Sequence, residues 1–217
     1  MKTIIKKNIF ILFPYGILLI AALSAIFINS KAQAHLFFNS FHTSFFDRFF
    51  YFATFLGDGV TATLIVLMLL AVKYRYAIIV ALSTVVSALI TQSLKHFVFD
   101  DVVRPKKFFE GLHDLYFVPG VENYLYNSFP SGHTTCAFSL YLALAFIVKQ
   151  KRFKILFFLL AVFTGYSRIY LSQHFLEDVT VGSIIGTVTA FVMYYWIQSK
   201  NKTWLNQSLI DSFRKSQ

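Results

Sequence analysis

The 217-residue sequence is poor in cysteine and in charge. Its one cysteine, Cys136, excludes an intrachain disulfide and any metal site built from several cysteines. Charged residues make up 14% of the chain, which is too few for an ordinary soluble domain, and no low-complexity linker or internal repeat divides it. Hydrophobic residues make up 57%, with 27 Phe and 12 Tyr. The composition therefore predicts a single polytopic membrane domain.

The apolar runs and the charges between them predict an all-α fold with six transmembrane helices. We expect residues 1–198 to form this domain and residues 199–217 to form a short cytoplasmic tail. Two of the runs are short for a full span, which is expected where a polar helix end lines a site at the membrane surface. The predicted spans are residues 8–29, 57–73, 76–94, 134–149, 155–167 and 179–197.

The distribution of charge predicts how these spans are oriented. With six spans, thirteen of the 20 Lys and Arg residues fall on one side, and nine of the ten acids fall on the other. The positive-inside rule makes the basic side cytoplasmic, so both termini are expected there. The net charge of +10 is then explained by the basic cytoplasmic side of a membrane protein, and we expect no nucleic-acid partner.

Two features of the first 55 residues have alternative interpretations. Basic Lys6 and Lys7, the following apolar run and Ala32-Gln33-Ala34 imitate a cleavable signal peptide. The run is longer than the usual signal core of about 7–15 residues, so an uncleaved helix is expected. In residues 35–55, Phe recurs every four residues, which predicts an interfacial helix at the outer face. That helix is either a lipid-facing aromatic belt or a gate for a lipid substrate.

Polar residues form three clusters on the predicted outer side, which are Lys95 with Arg104-Pro105, residues 130–133, and Ser167-Arg168 with His174 and Asp178. Ser131, Gly132 and His133 precede the fourth span, where free backbone N–H groups and the helix dipole favour an anion. His174 and Asp178 are four residues apart, so a helix would place them on one face. Taken singly, the first group is also an ordinary turn and N-cap, and the second is also a helix-capping pair.

Together the clusters have the composition of a phosphoryl-transfer site. Lys95, Arg104 and Arg168 supply fixed cations, and the carboxylate of Asp178 orients an imidazole. One histidine can attack phosphorus while a second protonates the leaving oxygen. This chemistry needs no metal, and we expect no cofactor.

The sequence resembles the type 2 phosphatidic acid phosphatase (PAP2) family of membrane lipid phosphatases. Pro-Ser-Gly-His at residues 130–133 and Ser-Arg-x5-His-x3-Asp at residues 167–178 match the second and third motifs of that family. The resemblance covers nearly the whole chain before the tail. It implies that His174 forms a phosphohistidine, that Asp178 orients it and that His133 protonates the leaving group. It also implies phosphate ligands: Lys95, Arg104, Ser131, Gly132 and Arg168.

The first motif of the family departs from its usual spacing. Eight residues separate Lys95 from Arg104-Pro105, where the family usually has six. A bulge or a helix end near Asp100-Asp101 accommodates the difference, or else Lys106 or Lys107 takes the place of Lys95.

The remaining histidines and the long outer loop carry weaker signals. His35, His42, His96 and His113 have no partner at metal-ligand spacing, so they are interpreted as surface residues and no metal site is predicted. Gly182 and Gly186 predict close packing of the last span against a neighbouring helix, and oligomeric state is not predicted. Residues 106–127 are either a cap that sets headgroup preference or an ordinary loop.

The expected function is hydrolysis of a phosphomonoester or pyrophosphate on a lipid, at the outer leaflet of a bacterial inner membrane. Undecaprenyl pyrophosphate is the slightly favoured substrate, and lipid A and phosphatidylglycerophosphate are its competitors. A lipid-to-lipid phosphotransferase is the second enzymatic hypothesis. The hypothesis from another class is a transporter or scaffold whose polar residues line a path for an anionic lipid.

Overall fold

The computed structural model describes residues 6–211, all of whose regular structure is helical. Lys2, Arg214 and Lys215, which contribute to the orientation argument, lie outside the described residues. The α-helices in chain order are α1 (Ile9–Ile28), α2 (Lys31–Asn39), α3 (Ser44–Ala53), α4 (Gly59–Val72), α5 (Tyr74–Phe97), α6 (Pro105–Phe108), α7 (Gly132–Ile147), α8 (Lys151–Tyr170) and α9 (Leu176–Gln198).

Each of the six predicted spans overlaps one helix, but the helices differ in their capacity to cross a membrane. By length and hydropathy, α1, α5, α8 and α9 qualify alone, and α4 qualifies only together with Ser44–Gly57, from which it is bent by 55°. The described chain thus has four or five candidate spans. With 16 residues, α7 is about 24 Å long, shorter than a hydrocarbon core of roughly 30 Å. The total of six spans stays a prediction.

Helix α7 is the centre of the bundle. It contacts α5, α8 and α9, and twelve of its 16 residues are buried. In α1, by contrast, only Ile11 and Tyr15 are buried, so its apolar surface faces outward as expected for a helix against lipid. Helix α8 is longer than the fifth predicted span, residues 155–167, because it begins four residues earlier and ends three residues later.

Close packing through the glycines of α9 is confirmed. A Cβ added at Gly182 would lie 2.7 Å from the Ser131 carbonyl oxygen, and one at Gly186 would lie 2.6 Å from that of Thr135. Both carbonyl groups belong to the first turn of α7 or the residue before it. The glycines therefore allow α9 to approach α7 at the end of the bundle that carries the polar motifs.

The aromatic segment 35–55 is not one helix, which corrects the sequence prediction. Thr43 caps α3 by accepting a hydrogen bond from the Phe46 N–H, and residues 40–43 separate α3 from α2. Phe37 and Phe45 therefore lie on different helices, although both are exposed. An interfacial location for either helix stays a prediction.

The described part of the tail packs against the start of α5. The buried guanidinium of Arg75 donates to the carbonyl oxygens of Ile197 and Lys200 at 2.7 and 3.0 Å and to Asn206 Oδ1 at 3.3 Å. Leu205 is buried beside it. Residues 199–211 thus form part of the folded unit at the bundle end opposite the polar motifs.

Candidate phosphoryl-transfer site

The bundle brings together residues that lie up to 83 positions apart in the sequence. Because neighbouring helices alternate in direction, the last turns of α5 and α8 and the first turns of α7 and α9 lie at the same end. These turns and two adjoining loops carry every predicted site residue: Lys95, Arg104, Ser131, Gly132, His133, Arg168, His174 and Asp178.

His174 and Asp178 form the buried pair that their spacing predicts. His174 Nδ1 lies 3.3 Å from Asp178 Oδ2, and their side chains are almost fully buried. The same oxygen accepts hydrogen bonds from the Phe175 backbone N–H at 2.9 Å and the Ser128 hydroxyl at 2.5 Å. Asp178 therefore both caps the start of α9 and holds the imidazole through Nδ1, which leaves Nε2 as the free ring nitrogen.

A short loop places Arg168 beside His174. The backbone N–H groups of Gln173 and His174 both donate to the Arg168 carbonyl oxygen at 3.0 Å, which closes residues 169–173 into a compact turn. The Arg168 guanidinium donates through Nη1 to Thr54 Oγ1 and through Nη2 to Gln173 Oε1 at 3.4 Å. Its Nε has no partner among the described residues and is a free donor within the site.

Arg104 is fixed by carbonyl oxygens from two directions. Its Nε donates to the Tyr126 carbonyl oxygen at 2.8 Å, and its Nη1 donates to the Gln173 carbonyl oxygen at 3.2 Å. Its Nη2 donates to the Asn127 carbonyl oxygen at 3.3 Å. Carbonyl partners orient the guanidinium without neutralising it, so its full charge is retained for an anion.

Lys95 is the lysine that the structure brings to the site. Its buried Nζ donates to the Asn127 carbonyl oxygen at 2.7 Å, the atom that also accepts from Arg104. Lys107 instead pairs with Glu110 at 2.5 Å, and Lys106 is exposed. Because α5 ends at Phe97, the non-helical residues 98–104 accommodate the unusual spacing, as the helix-end alternative predicted.

Ser131, Gly132 and His133 begin α7 directly beside Asp178. The Ser131 backbone N–H donates to the Asp178 carbonyl oxygen at 3.0 Å, which ties the second and third motifs together. A Cβ added at Gly132 would meet no atom within 4 Å, so packing does not require glycine there. The half-buried ring of His133 has no hydrogen-bond partner within residues 6–211 and remains available to a ligand.

The electrostatics of the site favour a neutral nucleophile and a bound anion. Burial, reinforced by Arg104, Arg168 and Lys95, lowers the pKa of His174 well below its usual value. Three cations surround this imidazole and one carboxylate orients it. A phosphate group has the charge and the acceptor geometry to complete such a site.

The sequence analysis missed residues that hold these groups. Ser128 donates to Asp178, Thr54 and Gln173 accept from Arg168, and Gln173 also accepts from Arg104. None belongs to a motif, although the position of Gln173 next to His174 was a usable signal. His35, interpreted from the sequence as a surface residue, is buried against the loop that precedes His174, so that interpretation was wrong.

Segment 106–127 lies across this site. The Gln173 side-chain amide donates to the Glu122 carbonyl oxygen at 2.8 Å and to Asn123 Oδ1 at 2.6 Å. Tyr116 reaches the other side, where its hydroxyl donates to Asp47 Oδ2 at 2.8 Å. Within residues 6–211, no group of three His, Cys, Asp or Glu side chains is arranged to hold a metal ion.

Comparisons with known proteins identify a family for this chain. The model of the PAP2 superfamily matches residues 76–202, more than half of the chain. The chain is 27% identical over 170 residues to a lipid A 4'-phosphatase of Bacteroides thetaiotaomicron, a match that covers 75% of each protein.

Two crystal structures have the same fold. LpxE of Aquifex aeolicus is similar with a TM-score of 0.67 and 26% identity, and the match covers 76% of this chain and 94% of that one. A PAP2-type phosphatidylglycerolphosphate phosphatase of Bacillus subtilis also has a TM-score of 0.67. Its identity is 24%, with 88% of this chain and 96% of that one covered, so it supports the fold alone.

Proposed function

The chain belongs to the PAP2 superfamily and is a membrane lipid phosphatase, and we propose that it hydrolyses its substrate through a phosphohistidine at His174. The observation that carries this proposal is the buried His174–Asp178 pair beside Lys95, Arg104 and Arg168. Membership in a phosphatase family favours an enzyme over the transporter or scaffold that the sequence left open.

In the proposed first step, His174 Nε2 attacks phosphorus, a P–N bond forms and the bond from phosphorus to the lipid oxygen breaks. His133 gives its proton to that oxygen. The negative charge of the bound phosphate favours the protonated form of His133, although cations surround it. Lys95, Arg104 and Arg168 stabilise the phosphoryl oxygens, and Ser131 and the Gly132 backbone donate hydrogen bonds to them.

In the second step, neutral His133 accepts a proton from water, and the resulting hydroxide attacks phosphorus as the P–N bond breaks. The products are inorganic phosphate and the starting enzyme, with His133 protonated again. Throughout the cycle Asp178 keeps Nδ1 of His174 oriented. If a lipid hydroxyl or phosphate attacked the same phosphohistidine in place of water, the enzyme would be a phosphotransferase.

Among substrates we favour a phosphomonoester on lipid A, because the curated relative is named a lipid A 4'-phosphatase. Undecaprenyl pyrophosphate, which the sequence analysis favoured slightly, has no support from the comparisons and stays a prediction. Contacts of segment 106–127 with Arg104 and Gln173 support the proposal that it is a cap which selects the headgroup.

The proposed arrangement in the membrane keeps six spans in a domain of residues 1–198, with tail 199–217 and both termini cytoplasmic. Helix α4, which lies within the predicted span 57–73, and the short helix α7 would then supply two of the six spans. In this arrangement the site opens to the periplasm or cell exterior, in a bacterial inner membrane.

The decisive experiment is phosphate release by detergent-purified protein in excess EDTA. The substrates are lipid A, phosphatidylglycerophosphate, phosphatidic acid and undecaprenyl pyrophosphate. His174→Ala is expected to abolish release, and His96→Ala, a matched change at an exposed histidine, is expected to retain it. Turnover that survives in His174→Ala would overturn the mechanism. Substrate that is consumed only after an acceptor lipid is added, with its phosphoryl group recovered on that acceptor and not as free phosphate, would identify a phosphotransferase.

A further inference from the structure

Helix α2 contacts the loop that carries His174, although no PAP2 motif includes this helix. The loop, residues 171–175, joins α8 to α9 and is almost fully buried. Within it, Ser172 has a φ of 52°, in the left-handed region that residues with a Cβ rarely adopt. Such a conformation persists only where its surroundings hold it.

The Ser172 hydroxyl is held by two side chains of α2. His35 Nε2 lies 3.2 Å from Ser172 Oγ, and Asn39 Nδ2 donates to the same oxygen at 3.1 Å. Asn39 is itself fixed, because its amide exchanges two hydrogen bonds of 2.9 Å with the backbone of Tyr116.

The ring of His35 is clamped between aromatic residues of two other segments. Phe109 stacks on it with ring centroids 5.6 Å apart, and Phe175 meets its edge at 5.2 Å. The side chain is 2% exposed, and burial lowers its pKa to about 4, so the ring is neutral at physiological pH. Its Nδ1 has no partner in the described chain, so Nε2 provides the polar contact.

Ser172 lies two residues before His174, in a loop whose closure depends on its conformation. Both the Gln173 and the His174 backbone N–H groups donate to the Arg168 carbonyl oxygen. If Ser172 relaxed to a right-handed or extended conformation, those N–H groups would turn away and the imidazole would move relative to Asp178. A displacement of about 1 Å can cost on the order of 100-fold in rate.

We propose that His35, together with Asn39, is a positioning residue that holds His174 in its reactive place through Ser172. The proposal rests on the proposed function, because it gives α2 a part in phosphoryl transfer. A positioning role differs from a purely stabilising one in its effect on the kinetics. Loss of the His35 contact lowers kcat, while the protein stays folded and keeps its affinity for substrate.

Two matched substitutions separate these roles. Glutamine places its side-chain amide where histidine has Nε2, so His35→Gln retains a hydrogen-bonding group for the Ser172 hydroxyl. Asparagine places its amide where histidine has Nδ1, which has no partner, so His35→Asn loses the contact. Phe37→Ala is the control, because it truncates an exposed side chain on the same helix.

For His35→Asn we expect kcat on lipid A to fall about 10- to 100-fold while KM changes less than about twofold. His35→Gln and Phe37→Ala are expected to keep kcat within about threefold of wild type. Ser172→Ala should lower kcat similarly to His35→Asn, and the double variant should be no worse than either single one. Equal kcat in the Gln and Asn variants, or additive losses in the double variant, would overturn the proposal.

Hydrogen exchange provides a readout that needs no turnover. Amides of residues 172–174 should exchange at least about tenfold faster in His35→Asn than in His35→Gln, with similar melting temperatures. If wild type releases no phosphate, the proposed function fails, and exchange alone decides whether α2 holds the loop. Unchanged exchange in His35→Asn would refute the contact, and if that variant does not fold, Asn39→Ala and Ser172→Ala supply the same comparison.

Discussion

Replacing Asp178 by asparagine tests whether this carboxylate orients the nucleophile or only caps a helix. In the structure one oxygen, Oδ2, receives the Ser128 hydroxyl, the Phe175 N–H and His174 Nδ1, while Oδ1 is buried without a partner in the described chain. An amide oxygen can keep the first two hydrogen bonds. The amide NH2 then occupies the Oδ1 position, where it finds no acceptor.

The expected magnitudes follow from those contacts. An unsatisfied buried donor costs about 1–3 kcal/mol, and weakening the charged hydrogen bonds at Oδ2 adds about 1 kcal/mol. Asp178→Asn should therefore fold with lowered stability. Its rate should fall on the order of 100-fold, because the amide oxygen can still accept from the Nδ1–H of His174 but carries no negative charge to stabilise the positive charge that develops on the imidazole.

The assay is phosphate release from lipid A per unit of monodisperse protein, beside a thermal melt. Ser128→Ala is the matched control, because it removes one donor from the same oxygen but leaves the carboxylate in contact with His174. It should lose stability with at most about a tenfold loss of rate. Near-normal kcat in Asp178→Asn would refute the orienting role and leave Asp178 as the cap of α9.

Three further predictions concern charge and packing. Because the pKa of His174 is held well below 6.5, kcat/KM should lose activity through protonation of this nucleophile only below pH 6.5. The free energy of unfolding should also fall as the pH drops below 6.5, since His174 is then protonated in the unfolded state and stays neutral in the folded state. Gly132→Ala should keep its melting temperature but lose at least about tenfold in kcat/KM, whereas Gly182→Ala should lower the melting temperature, because only the second Cβ meets backbone. In the same phosphate-release assay, Lys95→Ala should lose about 100-fold and Lys107→Ala less than about threefold, and the reverse order would show that Lys95 is not the phosphate ligand.

Sequence spacing predicted the parts of the site that lie within one local segment. His174 and Asp178 are one helical turn apart, and Arg168 reaches them through a loop of fixed length, so chemistry and spacing identify all three. Residue types also identified the helices, because long apolar runs between charges leave few alternatives. Helix ends were harder to place, since they depend on contacts such as those of Ser131 with Asp178.

Contacts between segments that are distant in the sequence could not be predicted from sequence patterns. His35 contacts Ser172 across 137 positions, and nothing in the residues around His35 distinguishes it from exposed His96. The break between α2 and α3 was missed for a related reason. The four-residue Phe repeat continues across it, although Thr43 caps a new helix there.

The loop between α8 and α9 gives a physical reason for the spacing of the third motif. Arg168 lies in the last turn of α8, and its carbonyl oxygen accepts the N–H groups of Gln173 and His174, so the guanidinium and the imidazole leave the same turn side by side. Asp178 lies in the first turn of α9, where its Oδ2 accepts the capping hydrogen bond from the Phe175 N–H and also contacts Nδ1 of His174. Five residues separate Arg168 from His174, and one of them, Ser172, has a left-handed conformation. The motif fixes a loop geometry as well as a set of reactive groups, and α2 is placed to hold that geometry.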